Sequence, residues 1–534
     1  MRNLTLLFSL FMFGSVVLGQ TTSPKVITDD KVAFDEAHFQ DFLSVDGDYF
    51  YTFGSSDKSF YREKPGRNFY LTKYKLSDFT LVEELEIKAF KYKGVKTSYF
   101  MAFSNEAGHH LLTECFHKKL KTKFLLHLMV DKQGKVSEVT EVASMESPKS
   151  YTRNFIVALS KDHNKTMIYS DVALRARDED PNYIPRIWVH NADFSDSWTI
   201  EASDGLEDKT MFYPTDIRVS NDGEALVLGY QRKAKVMESN VMVVDQYSLL
   251  RHNEQQSGRV YSIKSDDMMI HHMLMDVNSK GIIQLVGMSS EIGGATPDGS
   301  FFMQVDPKTM KPQMQVWSDF DTTLLNSFPG AYDNVARDFI EENVFGYYQG
   351  HQKRMKYFRV KDIITWEDGS VTAITERAYG RGYVYNPQSP YNITHFDEIV
   401  VIDFSPKGEI NWTRKIPKYQ MVVTRNDGFG SFYTHVGEGE LHLIYNDHED
   451  NPENLRNGTE VRDFGGSWGN LKVAMVMATV TREGEMSYDY LYNNFENRTI
   501  FFTDQCFQLS NGQNLGLMAS PTLSKLQFVK IKFP

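Results

Sequence analysis

The chain holds only two cysteines in 534 residues, Cys115 and Cys506. Disulfides are therefore excluded as its framework. Each thiol lies in an apolar, strand-like run, where a buried free cysteine is the expected state and a pairing of the two is the alternative. Long apolar runs are also lacking: beyond residue 19, no segment approaches the ~20 apolar residues that span a bilayer as a helix. Basic residues are outnumbered, 58 Lys+Arg against 70 Asp+Glu, for a net charge of −12. That balance disfavours nucleic acid and anionic membrane surfaces as partners. No His-Glu-x-x-His, Gly-x-Ser-x-Gly or phosphate-loop pattern occurs, so the linear signatures of zinc proteases, serine hydrolases and P-loop enzymes are missing. The adjacent pairs His109-His110 and His271-His272 do not supply a metal site, because neighbours on a strand point to opposite faces.

What is present is aromatic and β-forming. Phe and Tyr number 37 and 28, and apolar residues make up 41% of the chain, enough for a large core. Residues 1–19 read as a cleaved signal peptide: Arg2 is the basic start, Leu4 to Leu18 is mostly apolar, and Val17 and Gly19 suit the cleavage positions before Gln20. The mature chain, 20–534, is expected to be one domain, secreted or periplasmic, with no membrane span.

Eight turn-forming clusters each separate two β-rich runs. They are Asp46-Gly47-Asp48, Asn105-Glu106-Ala107-Gly108, Asp162-His163-Asn164-Lys165, Asn221-Asp222-Gly223-Glu224, Asn278-Ser279-Lys280-Gly281, Glu367-Asp368-Gly369-Ser370, Gly437-Glu438-Gly439-Glu440 and Asn511-Gly512-Gln513-Asn514. Their spacing is roughly 60 residues at first, then lengthens, as expected of a repeat architecture. A second turn follows within most units, as at Lys132-Gln133-Gly134-Lys135 and Arg482-Glu483-Gly484-Glu485. Strand, turn, strand, loop, strand, turn, strand predicts an all-β chain: a β-propeller of about eight four-stranded blades, with seven as the alternative. The last unit, Ile500 to Pro534, has only about three strands, while Lys25 to Phe34 precedes the first full unit. A ring closed by an N-terminal strand accounts for both and leaves no open sheet edge. Tyr332, Val335, Ala336, Phe339, Ile340 and Val344 fall at helical spacing, so a short helical insertion is expected near 330–346.

One stretch carries a family resemblance. Val401-Ile402-Asp403-Phe404-Ser405-Pro406-Lys407-Gly408-Glu409-Ile410-Asn411-Trp412 resembles the outer hairpin of quinoprotein-like propeller repeats, and Val305-Asp306-Pro307-Lys308 through Val316-Trp317 is a weaker echo. The chain as a whole is similar to secreted bacterial propeller-like proteins. The echo is confined to one or two blades, so the resemblance implies architecture and not a quinone cofactor.

In such blades the tight turns share one face, and the long second-to-third connections and blade links share the other. The looped face is the expected functional face, since binding residues concentrate on long loops held by a rigid scaffold. Two of its segments combine suitable chemistry. Arg377, Tyr379, Arg381, Tyr383 and Tyr385 offer aromatic platforms and guanidinium groups that could stack on a sugar or grip a carboxylate; the alternative is that the tyrosines pack the loop onto its neighbours. Asp447, Glu449 and Asp450, in a segment ending near Trp468, are hard oxygen donors that could hold calcium, against the plainer reading of a solvated acidic loop. The leading expectation is a binding or scaffold module for a protein or glycan partner. The alternative is a carbohydrate-active or other hydrolytic or lyase enzyme with an axial site.

Overall fold

A computed structural model describes residues 24–28, 32–33, 41–55, 65–150, 152–172, 183–206, 212–231, 247–263, 268–291, 296–327, 358–383, 391–423, 427–458, 461–462, 464–465, 472–493, 499–509, 512–520 and 525–533. They form eight four-stranded blades, two of them with added strands, arranged as a β-propeller, and one separate two-stranded ribbon, Lys91–Tyr92 with Val95–Lys96. The blade count is eight and not seven. The first strands of the blades are Asp41–Asp46, Ser98–Ser104, Arg153–Leu159, Phe212–Val219, Met268–Val277, Phe358–Thr365, Tyr433–Gly437 and Ile500–Gln508. The first strands of blades 1 and 2, 3 and 4, 4 and 5, 5 and 6, 7 and 8, and 8 and 1 lie against one another, so the first strands surround the axis.

Turn chemistry sets this order. Each of the eight clusters joins the first and second strands of a blade, the last through Gly512. Six of these turns place a glycine at φ between 57° and 88° (Gly47, Gly223, Gly281, Gly369, Gly439, Gly512), a conformation other residues adopt at a cost. Blade 3 uses His163 at φ 58° instead, and its ring Nδ1 lies 3.1 Å from the Ser104 carbonyl oxygen of blade 2.

The ring closes where the sequence requires. Lys25–Thr28 pairs antiparallel with Lys525–Lys532, from Lys25↔Lys532 to Thr28↔Val529, and supplies the outer strand of blade 8. Val32–Ala33 adds a second short pairing to the same strand. The seam is aromatic: Phe528 of blade 8 lies 5.3 Å from Phe50 and 5.0 Å from Tyr74 of blade 1, ring centre to ring centre. Lys530 Nζ donates to the Leu76 carbonyl at 2.7 Å. The expected helix near 330–346 lies outside the described residues; a short helix, Thr322–Asn326, precedes it. Both cysteines are free, Cys115 buried and Cys506 half-buried. Burial pushes the Cys115 thiol up to about 11, so it is inert at neutral pH.

Blades meet through apolar clusters, and on the turn-bearing, plain face also through buried histidines. Asn105 Nδ2 donates to the carbonyls of His163 (3.1 Å) and Ala192 (2.9 Å), which leaves its Oδ1 as the acceptor for His110 Nε2 at 2.8 Å. His110 Nδ1 must then accept from His127 Nε2 at 2.9 Å, which fixes His110 as the neutral Nε2–H tautomer and His127 Nε2 as the donor. Phe194, at φ 61°, stacks on His127 at 4.0 Å and on His190 at 4.9 Å. A second stack joins blades 7 and 8: Phe533 lies 4.0 Å from His435 and 4.9 Å from His442. Burial pushes His110, His190, His435 and His442 down to about 4, and His127 to about 3.

Two outcomes follow from closure and from these neutral rings. Ile27→Ala, in the closing strand, should cost about 2 kcal/mol in denaturant unfolding, toward the low end for an isoleucine because Ile27 is only partly buried; no change would mean the seam does not carry the ring. Between pH 6.5 and about 4 the unfolded chain binds more protons at these histidines than the folded chain. Stability should therefore fall as pH drops through that window, by up to about 3 kcal/mol for each fully buried ring. Imidazole ¹⁵N shifts check it directly: His110 and His127 should remain neutral at pH 5, and an imidazolium there contradicts the stack.

Candidate functional site

The first strands share an irregularity. In blades 1, 2, 4, 5, 6 and 8 the first strand is bulged against the second. A bulge re-aims the residues beside it, and here it sets carboxylates around the axis. Asp216 and Asp362 directly follow one-residue bulges, and Asp504 lies within a larger one between Phe502 and Cys506. These side chains reach toward the next blade. Asp216 accepts from the Met275 backbone N–H at 3.0 Å, and Asp41 from that of Ala102 at 3.3 Å and from the Tyr99 hydroxyl. Asp276 accepts from Thr365 Oγ1 at 2.9 Å. Burial raises the carboxyls of Asp41, Asp216 and Asp362 above the usual range.

Asn154, Arg218, Arg359, Lys361 and Asp504 are exposed on the first strands, so they line an axial channel. Asp504 touches that channel yet is enclosed by protein, and the desolvation, helped by nearby Asp41, pushes its carboxyl up to about 6. At the plain-face end Lys161 of blade 3 reaches past blade 4 to blade 5, donating to the Val277 carbonyl at 3.0 Å with Asp276 at 3.5 Å.

The looped face carries an element that is not part of the ring. The second and third strands of blade 6, Val371–Tyr383 and Tyr391–Phe404, are 13 and 14 residues long and stay paired out to Tyr383↔Tyr391. The segment Arg377 to Phe396, expected as a loop, is thus mostly hairpin, because its alternating aromatic and β-branched residues keep the strand pattern going. Gln420–Val423 pairs with Ile393–Phe396, and Phe464–Gly465 adds in parallel, making a small sheet above the blade. This arm leaves the blade at a register shift between Glu376 and Ala378.

Its base is a buried polar network. Lys418, fully buried, donates to Glu376 Oε1 (2.9 Å), the Phe396 carbonyl (2.8 Å) and Gln420 Oε1 (2.9 Å), using all three ammonium protons. Ser431 Oγ donates to the other Glu376 oxygen at 2.7 Å. Gln420 Nε2 passes the network to the Asn446 carbonyl at 2.7 Å, and the Asn446 side chain binds Phe429 and Phe501. A Cβ on Gly430 would sit 2.2 Å from the Phe396 ring, so only glycine lets this chain approach the arm so closely.

The predicted site residues fall on this framework unevenly. Arg377 is half-buried at the register shift and pairs with buried Glu398 at 3.4 Å, while Tyr419 donates to the same carboxylate at 3.3 Å. Tyr379, above it, stacks on its cross-strand partner His395 with centres 4.7 Å apart and planes within 4°. Arg381 and Tyr383 continue the strand, and Tyr385 and Trp468 lie outside the described residues. The segment from Asn446 is not a loop throughout: Glu440–His448 is a strand and Asn451–Arg456 a short helix. Asp447 is buried, accepting from Asn451 Nδ2 at 2.6 Å and the His448 N–H at 2.8 Å. Glu449 pairs with Lys472 at 2.9 Å, and Asp450 pairs with Arg462. Among the described residues no group of three His, Cys, Asp or Glu side chains is placed to hold a metal.

A pocket of about 530 Å³ opens on the same face between blades 2 and 3, lined by Glu146, Arg153, Tyr183, Arg186 and Glu201. The Arg153 guanidinium lies over the Tyr183 ring at 3.8 Å, and Tyr183 donates to Ser170 Oγ at 2.6 Å. Sequence reading missed the axial aspartates. The available signal was Asp inside an apolar run, disfavoured in strands, and in Asp216 and Asp362 it recurs five residues ahead of the turn clusters that begin at Asn221 and Glu367.

The chain matches no protein family and no curated protein. Solved structures to which it is similar include a mutant puromycin hydrolase complexed with PGG, at 10% identity and TM-score 0.35, covering 91% of this chain and 59% of that one. Sqt1 of Saccharomyces cerevisiae is similar at 7% identity and TM-score 0.42, covering 95% of this chain and 100% of that one. The β-propeller domain of the Trilobed protease from Pyrococcus furiosus follows at 9% and 0.31, covering 76% and 89%. The chain thus spans about three fifths of the puromycin hydrolase. No functional statement follows from likenesses this distant.

The arm's base yields a stability test. Lys418→Met leaves buried Glu376 with only the more distant, partly exposed Lys361 ammonium at 3.9 Å, and should cost about 3 kcal/mol, the low end for breaking a buried pair. Lys418→Met with Glu376→Gln should recover part of that loss, because the uncompensated charge is gone. Equal losses in both, measured by denaturant unfolding, would show that the pair's charge does not matter.

Proposed function

We propose that this protein is a binding or scaffold module that engages a protein or glycan partner through its looped face. The observation that carries this reading is the arm of blade 6. It lies outside the meanders that close the ring, yet its base holds buried charges whose desolvation must be offset by complete hydrogen bonding. Such an element is understandable as a rigid presenter of side chains. Tyr379 with His395, Arg381 and Tyr383 further along the same strand, and Tyr385 and Trp468 are the contact residues this reading assigns. The pocket at Arg153 and Tyr183 extends the same surface. Export through a cleaved signal peptide, to the periplasm or the medium, belongs to the reading, as does kinship with secreted bacterial propellers of quinoprotein-like repeats; N-terminal sequencing of the exported protein tests the cleavage. Calcium near Asp447, Glu449 and Asp450 is a further part, tested by a calcium-dependent rise in Tm that Glu449→Ala with Asp450→Ala abolishes.

A second reading, an enzyme with an axial site, is favoured by Asp504, whose carboxyl holds a proton up to about pH 6 beside Asp41 on the channel. A raised carboxyl next to another is the pattern of acid–base catalysis on glycosides.

One experiment separates the two. The mature protein is used as bait against envelope extract and growth medium with glycan fragments included, alongside Tyr379→Ala and Asp504→Asn. The binding reading expects a retained partner that is lost with Tyr379→Ala and kept with Asp504→Asn. Turnover of a glycan that Asp504→Asn abolishes and Tyr379→Ala spares would replace it with the enzyme reading.

A further inference from the structure

The plain face, bearing the tight turns, is not uniformly closed. At several blade junctions the turn between the third and fourth strands closes onto the blade before it, as Phe194 of blade 3 does on His127 of blade 2. A Cβ on Gly484 of blade 7 would sit 2.8 Å from the Trp412 ring of blade 6, and Trp412 Nε1 donates to the Arg482 carbonyl at 3.0 Å. Gly408 of blade 6 packs likewise on Phe302, Val316 and Met314 of blade 5. The corresponding glycine of blade 2, Gly134, would meet nothing within 4 Å. Between blades 1 and 2 a cavity of about 570 Å³ remains.

Register shows why. In blade 6 the row across the second, third and fourth strands is Thr372↔Asp403↔Trp412, and in blade 1 the same row is Tyr51↔Lys73↔Glu83. In both blades the outer pairing shifts register at the next step, Phe404↔Ile410 and Tyr74↔Leu81, so Glu83 stands where blade 6 has Trp412 and blade 5 has Met314. A charged, hydrated carboxylate replaces an apolar packing residue, and the junction stays open.

The open junction has a consistent chemistry. Its blade-1 wall runs Ser44, Tyr51, Lys73, Glu83 across the four strands, with Leu71 and Leu85 behind. The Lys73 ammonium lies 4.3 Å from the centre of the Tyr49 ring and 5.5 Å from that of Tyr51. The blade-2 wall brings His109, whose ring is tilted against Tyr51 with centres 4.7 Å apart and whose Nδ1 lies 2.7 Å from Ser104 Oγ, with Asp131, Lys132 and Gln133. Cations and carboxylates alternate along the walls, so an anion meets Asp46, Glu83 and Asp131, and a cation meets Lys73 and Lys132. An apolar ligand would strand these polar groups. A neutral, hydroxyl-rich ligand satisfies donors and acceptors together, and lays its C–H faces on the Tyr51 ring and the leucines.

We propose that the cleft between blades 1 and 2 on the plain face is a binding site for a neutral oligosaccharide, read by Tyr51, Lys73, Glu83 and His109. It is separate from the looped-face surface and stands or falls independently of it. The test uses saturation-transfer NMR and calorimetry with three neutral trisaccharides (maltotriose, cellotriose and chitotriose), with trigalacturonate as the anionic and the glucosamine trimer as the cationic comparison. At least one neutral trimer should bind, at least tenfold more weakly to Lys73→Met and to Glu83→Met, and unchanged to Tyr379→Ala. Glu83→Met copies the packing residue of blade 5 at an exposed position, so retention of the wild-type Tm shows that any loss comes from the missing carboxylate in the cleft and not from the fold. The proposal is overturned if no neutral trimer binds, if only the charged trimers bind, or if binding survives both cleft substitutions.

Discussion

The rest of this structure depends on one constraint: no four-stranded blade can cover both of its own faces. Each sheet is apolar on both sides along most of its length, as Val473–Val480 shows by being buried at every position. Only neighbours on both sides keep such a strand from water, and only a closed ring gives every blade two neighbours. The closing pair, Lys25–Thr28 with Lys525–Lys532, is therefore more than one more strand pairing. It ties the two ends of the chain and lets the aromatic seam of Phe50, Tyr74 and Phe528 form.

Closure then divides the two faces. The plain face is where blades are tied by side chains: the stack of Phe194 on His127, the Asp403–Arg482 network and the Trp412 contact each cross a junction there. The looped face holds the arm, whose buried Lys418 and Glu376 serve the arm and not the ring. Repetition also makes departures from the pattern readable. Where blade 1 places Glu83 at the position of Trp412, the tie is missing and a cavity takes its place, which only a comparison of one blade with another reveals.

Much of this architecture was legible in the sequence because hairpin turns are local. Asp46-Gly47 or Glu367-Asp368-Gly369 needs no distant partner to be recognised, and the short last unit pointed to closure by the N-terminal strand. In sequence the arm looks like a loop because Gly380 and Gly382 resemble breaks, while cross-strand partners such as His395 for Tyr379 are invisible without register. Arg377 was picked out for its chemistry, yet the structure gives that chemistry to Glu398. The axial aspartates were missed for a similar reason. A bulge aims them, and a bulge is a property of two strands, not of one.

The most direct measurement of the closed-ring account is amide hydrogen exchange across the intact chain. In a closed ring Lys25–Thr28 covers the Lys525–Lys532 strand of blade 8, so the amides of Val529 and Ile531 should exchange only through global unfolding, with the same opening free energy as Val227 and Met303 in the middle of the chain. Exchange of blade 8 by an easier, independent opening, with blades 4 and 5 still protected, would contradict it.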